Sequence, residues 1–141
     1  MIRKILAVLA GVITAFVVVI LVEAISALVY PPPPGLDMTD TEAMKEYVKT
    51  LPTGAFLFVL AGWTIAAFVG GLVAGFIAKT KPMLFAWIVG GVILLAGIYN
   101  LVVIPHPTWF SISAVVLILL VSFLAGKIGE CWGLKSQRTA G

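Results

Sequence analysis

The chain alternates between long apolar runs and short polar connections. Four apolar stretches stand out, Ile5 to Val29, Ala55 to Ala78, Pro82 to Ile104 and Trp109 to Ile128. Each has the roughly 17 to 25 residues that a helix, rising about 1.5 Å per residue, needs to cross about 30 Å of hydrocarbon. Their Val, Ile and Phe content would suit strands in water, but in lipid an isolated strand leaves its amides unpaired, so runs of this length are helices. The pattern predicts an all-α integral membrane protein, a single domain spanning residues 1–141.

The connections set the arrangement. Lys79-Thr80-Lys81 joins the second and third stretches and Pro105-His106-Pro107-Thr108 the third and fourth. Links this short force neighbouring helices to run antiparallel and in contact, which predicts an antiparallel four-transmembrane-helix bundle. The loop from Tyr30 to Thr53 is longer. Its run Pro31 to Pro34 cannot continue a helix and lifts the chain off the membrane at Tyr30. Thr39 with Glu42 has the spacing of a capping box, predicting a short surface helix over about Asp40 to Thr50 that ends before Pro52. Ala43, Met44, Tyr47, Val48 and Leu51 would form its apolar stripe, placed on the end of the bundle or in the headgroup layer. No internal repeat is visible, so an inverted-repeat transporter plan gains no support.

Composition agrees with this reading: 62% of the residues are hydrophobic and 11% charged. A soluble domain carries about 25% charged residues, so there is too little polar surface here for water. Arg3 and Lys4 ahead of the first stretch, and Ala24-Ile25-Ser26 near its end, resemble a signal peptide. The apolar run exceeds the roughly 7 to 15 residues of such a core, so the segment is expected to stay as a membrane helix.

Charge then sets the orientation. Two cations precede the first stretch, two lie in the Lys79 to Lys81 turn and three in the tail after Ser122. The Tyr30 to Thr53 loop offsets Lys45 and Lys49 with Asp37, Asp40, Glu42 and Glu46. Positive charge stays inside, so both termini are expected in the cytoplasm and the long loop outward, in a bacterial cytoplasmic membrane. The cations are scattered in ones and twos, which excludes the basic patch that nucleic acid requires. Cys131 is the only cysteine, which rules out an intrachain disulfide and a multi-cysteine zinc site.

Candidate chemistry is sparse. Small residues recur four apart, as Ala7, Gly11 and Ala15 in the first helix and as Ala67, Gly71 and Gly75 beside Gly70, Ala74 and Ala78 in the second. Ala86, Gly90, Gly97 and Asn100 share a face of the third helix, and Ser122, Gly126 and Gly129 one of the fourth. Such stripes let backbones approach, either within this bundle or against a second copy or another membrane protein.

Glu23 is the most informative single residue. Six positions before Val29, it sits about 9 Å below the outer end of its helix. An ionisable group at that depth is costly and usually turns toward protein or water. Depth alone brings Ser26, Tyr99, Asn100, Ser111 and Ser113 to a similar level, which predicts a polar pocket opening outward. The alternative is that Glu23 snorkels or fixes helix register. His106 between two prolines is a turn residue and, alone, a poor metal ligand. Tyr30, Tyr99, Trp109 and Trp132 lie near helix ends as interfacial anchors, whereas Trp63 and Trp87 are deeper and pack or face lipid.

No phosphate loop, Ser-His-acid grouping or carboxylate cluster is present, so neither an enzyme nor a metal or cofactor is expected. Four short helices with one glutamate in the first resemble the small multidrug resistance transporters in helix count and residue type. Glu23, in Val22-Glu23-Ala24-Ile25-Ser26, stands near its helix end rather than mid-helix as in that family, and the Tyr30 to Thr53 loop is foreign to its pattern. Two functions are therefore expected in turn. The first is an accessory, scaffold or oligomerising membrane subunit that works through helix packing, with lipids and a second copy or another membrane protein as partners. The second is a small proton-coupled transporter, or a lipid- or cation-binding membrane protein, that uses Glu23.

Overall fold

A computed structural model describes residues 1–139, with side chains through Gly133. The chain folds as α1 (Ile2–Val29), α2 (Thr41–Thr50), α3 (Thr53–Ala78), α4 (Pro82–Val103) and α5 (Thr108–Thr139). Helices α1, α3, α4 and α5 have the length and hydropathy of membrane spans, and they run alternately up and down as an antiparallel bundle. The protein is an integral membrane protein of the all-α class, with α2 as the short surface helix.

Helix boundaries move where the end of an apolar run is not the end of a helix. The fourth stretch was expected to stop at Ile128, but α5 continues to Thr139. Leaving hydrocarbon removes the need for apolar side chains, not the backbone hydrogen bonds, and no proline interrupts Gly129 to Thr139. At the same end α1 begins at Ile2 rather than Ile5. There the Arg3 guanidinium Nε donates to the Ile77 carbonyl at 2.7 Å, satisfying an orphan acceptor at the C-terminus of α3.

The cap of α2 also differs from the expected Thr39–Glu42 box. Asp40 is the N-cap, its Oδ1 accepting from the amides of Glu42 at 2.9 Å and Ala43 at 3.4 Å. Thr39 is already engaged, donating its amide and its hydroxyl to Asp37 Oδ1. These two bonds favour the charged carboxylate and hold Asp37 below its usual range. A carboxylate one residue nearer the helix wins because it meets two free amides and the positive end of the helix dipole.

α3 is the central helix, packing on α1, α4 and α5, while α4 also packs on α5. α1 lies outside this triangle, mainly on α3 and to a lesser degree on α4. The small residues explain the plan. A Cβ on Gly11 would come 2.6 Å from the Gly70 carbonyl oxygen, and one on Gly70 would come 2.6 Å from the Gly11 carbonyl oxygen. The two backbones therefore touch where α1 crosses α3, with Ala15 and Ala74 beside them. The opposite stripe of α3 serves its other neighbours, Gly71 meeting Ala86 and Ala125 and Gly75 meeting Pro82. Gly90 lies against the Ser122 hydroxyl, Gly97 against Trp63, and Gly126 against Met83. Between helices in lipid such close van der Waals contact replaces the hydrophobic effect as the source of association.

Candidate functional site

The site lies at the α2 end of the bundle and follows from how α1 leaves its neighbours. All the buried residues of α1, Ala7, Gly11 and Ala15, are in its first half. The second half stays on α3, with Val22 over Gly62 and Tyr30 packed on Gly54 and edge-on to Phe58 at 6.1 Å. Between this half of α1 and α4 the packing is open.

A cavity of about 410 Å³ occupies the upper part of that opening. Its walls carry Glu23, Ser26 and Tyr30 from α1 and its end, Ala55 and Val59 from α3, and Asn100, Val103 and Ile104 from α4 and its end. Its roof is Met38 and Thr39 of the loop with Thr41, Met44 and Tyr47 of α2 and its C-cap Leu51. A second space of about 160 Å³ continues below, bounded by Phe16 and Val19 of α1, Trp63 of α3, and Ile93, Ala96 and Gly97 of α4. Glu23 and Asn100 line both.

Among the described residues, the side chains of Glu23, Asn100 and Ser26 take part in none of the side-chain hydrogen bonds, and Glu23 joins no ion pair. The three ion pairs among the described residues are local ones along a helix, Lys45–Glu42, Lys49–Glu46 and Lys127–Glu130. Among the described residues no Lys or Arg lines either space. A carboxyl group, an amide and a hydroxyl thus face an amphipathic volume with their bonding capacity free for a guest. The larger space also falls within the roughly 300 to 1,000 Å³ usual for small-molecule sites.

α2 is held over this volume by one edge. Val48 is 6% exposed and belongs to the same apolar cluster as Phe56 and Phe110. Beside it His106 stacks on Phe110 at 4.9 Å between ring centroids, and Phe56 meets Trp109 at 6.4 Å. The His106 Nδ1–H donates to the Ile104 carbonyl at 2.7 Å. Desolvation in this setting pushes the imidazole below its usual range, opposed in part by the Ile104 bond. His106 is therefore a neutral packing element of the turn that seats α2.

Of the residues expected to converge, the fold brings together Glu23, Ser26 and Asn100. Tyr99 is 72% exposed and lies outside the lining, and Ser111 and Ser113 are on α5, which packs on α3 and α4 rather than beside Glu23. Depth along the membrane set their level but not their angle around the bundle. Residues not anticipated are the roof of Met38, Met44, Tyr47 and Leu51, and the lower walls of Phe16, Trp63, Ile93 and Ala96. The apolar stripe of α2 was the available signal for the roof. Trp63, 7% exposed, is a packing residue seated against Gly97.

No known protein family, curated protein or solved structure matches the chain. The fold itself defines the class, a multi-pass helical membrane protein with a half-open cavity at one end.

Proposed function

We propose that the protein is a small ligand-binding membrane protein that holds a molecule with a cationic or hydrogen-bond-donating group against Glu23. The observation that carries this is the carboxyl group of Glu23, exposed and without a partner among the described residues, beside Asn100 in a cavity that no described Lys or Arg lines. A guest supplying donors satisfies groups that the fold leaves free, and the apolar roof accepts its hydrocarbon part. The scaffold reading drew its weight from small-residue faces, and Gly11, Gly70, Gly71, Gly90, Gly97 and Gly126 spend theirs on neighbours within the chain. The cavity, not the packing stripes, is thus the better support for a function.

The test uses decylammonium as probe and the protein in lipid nanodiscs. Glu23→Gln keeps the size of the side chain and removes its charge. The expected loss is about 2 kcal/mol, roughly thirty-fold in affinity, as for a hydrogen bond to a charged partner. Equal binding by the variant, or no binding by the wild type, removes the reading.

In the same proposal both termini face the cytoplasm and the cavity faces outward, a reading that the distribution of Lys and Arg supports. With Cys131 replaced by serine, Thr80→Cys is expected to react with an impermeant maleimide only from the cytoplasmic side, and Thr41→Cys only from the other. Labelling of both from one side reverses the assignment.

A further inference from the structure

Glu23 and Asn100 stand at the junction of two spaces of different character. The upper one holds hydroxyls and opens under α2, whereas the lower one is walled by Phe16, Trp63, Ile93 and Ala96 and follows the seam between α1 and α4. We infer that the occupant is a phosphate-free, single-chain amphiphile with an amine headgroup, taken from within the membrane, its nitrogen at Glu23 and its chain in the α1–α4 seam. This inference rests on the binding function proposed above.

Three observations select that chemistry. The lower space is apolar apart from Glu23 and Asn100, so a hydrated ion has nothing to bond there. At about 160 Å³ it is close in size to an apolar cavity of about 150 Å³ that admits a six-carbon ring, so it takes a few carbons and leaves the rest of a chain to the lipid. Among the described residues no Lys or Arg lines either space, which leaves a phosphate without a partner beside a carboxyl group and sets a phospholipid headgroup aside. Entry from the side follows from the fold, because α1 is the outer helix and touches α4 far less than α3. Phe16 and Ala96, both on the seam, are exposed where lipid would lie.

The experiment compares two probes with one head, ethylammonium followed by saturation-transfer NMR and decylammonium bearing a photoreactive diazirine on its chain, on the full chain in nanodiscs. Crosslinks from decylammonium are expected at Phe16, Val19, Ile93, Ala96 and Gly97, the residues that wall the lower space. Ala96→Phe, which fills the seam from an exposed position and spares the helix contacts, is expected to lower decylammonium crosslinking at least tenfold while ethylammonium binds as before. Addition of phosphatidylethanolamine to the bilayer is expected to leave the probe in place. Crosslinks spread over outward positions such as Leu95 and Val102, unchanged labelling of Ala96→Phe, or displacement by phosphatidylethanolamine each overturns the inference. Its failure is separable from that of the binding function: Glu23→Gln without effect on either probe removes the site, whereas Ala96→Phe without effect removes only the placement of the chain.

Discussion

Gly70→Leu is expected to abolish the monodisperse bundle, and Gly70→Ala to destabilise it by about 1 to 3 kcal/mol, the usual cost of overpacking. The reason is local and severe. A Cβ at this position would meet the Gly11 carbonyl oxygen at 2.6 Å, the Ala15 methyl at 2.8 Å and a Val89 methyl at 3.0 Å. Backbone cannot rotate out of the way, so α1 must translate off α3, and with it goes the wall that carries Glu23. Gly91→Ala is the control on α4, because a Cβ there has nothing within 4 Å. Its effect is expected to lie within about 0.5 kcal/mol of zero, as for surface changes in general. Reversible unfolding in bicelles measures both. Equal stability of the two alanine variants would mean that α1 does not cross α3 at Gly11 and Gly70.

That contrast also marks what the sequence can and cannot express. Four spans and their alternation follow from an energy large enough to dominate, since every unpaired amide in hydrocarbon costs several kcal/mol. The small-residue stripes were equally visible, but a stripe does not name its partner: Gly70 and Gly71 are adjacent in the chain, yet Gly70 meets α1 and Val89 of α4 while Gly71 meets Ala86 of α4 and Ala125 of α5. The same limit applied to the site. Glu23, Ser26 and Asn100 do converge, whereas Ser113 has the right depth and the wrong angle. Which helices adjoin α1 is decided by close contacts at single glycines, a property of three-dimensional fit that residue type alone does not carry. Asp40 displaced Thr39 as the cap of α2 for a related reason, because Asp37 had already claimed the threonine.

The two halves of the bundle consequently differ in character. Near the chain termini the helices are sealed by glycine and alanine contacts, by Arg3 on the Ile77 carbonyl and by the left-handed Lys79 and Lys81 that turn α3 into α4. At the other end bulky side chains fill the contacts, Phe56, Trp63 and Phe110 packing on one another and Tyr30 on Phe58, and the cavity lies beside them between α1 and α4. Free polar groups are tolerated there because the space can admit water or a guest. A short helix bounded by Pro31 to Pro34 on one side and Pro52 on the other covers it, and Gly35, at φ of 82°, makes the left-handed bend that other residues avoid.

Val48→Asp is expected to detach that cover and leave the bundle intact. Val48 is 6% exposed and sits in the cluster with Phe56, so a carboxylate in its place is buried without a partner or must pull out. Nothing else in α2 is buried, and Met44 and Leu51 are only partly covered, so the ten-residue helix has little to resist the penalty with. Segments with few buried apolar contacts open first, and α2 is such a segment. The readout is the rate at which an impermeant maleimide reaches Asn100→Cys in a Cys131→Ser background, in nanodiscs that expose both faces. Lifting α2 is expected to raise that rate at least tenfold. Val48→Ile keeps the contact and is expected to leave the rate unchanged. The helical circular dichroism can fall by no more than the share of α2, since α1, α3, α4 and α5 are packed on one another independently of it. An unchanged rate in Val48→Asp would show that α2 does not cover the cavity, and the route to Glu23 would then run only through the seam between α1 and α4.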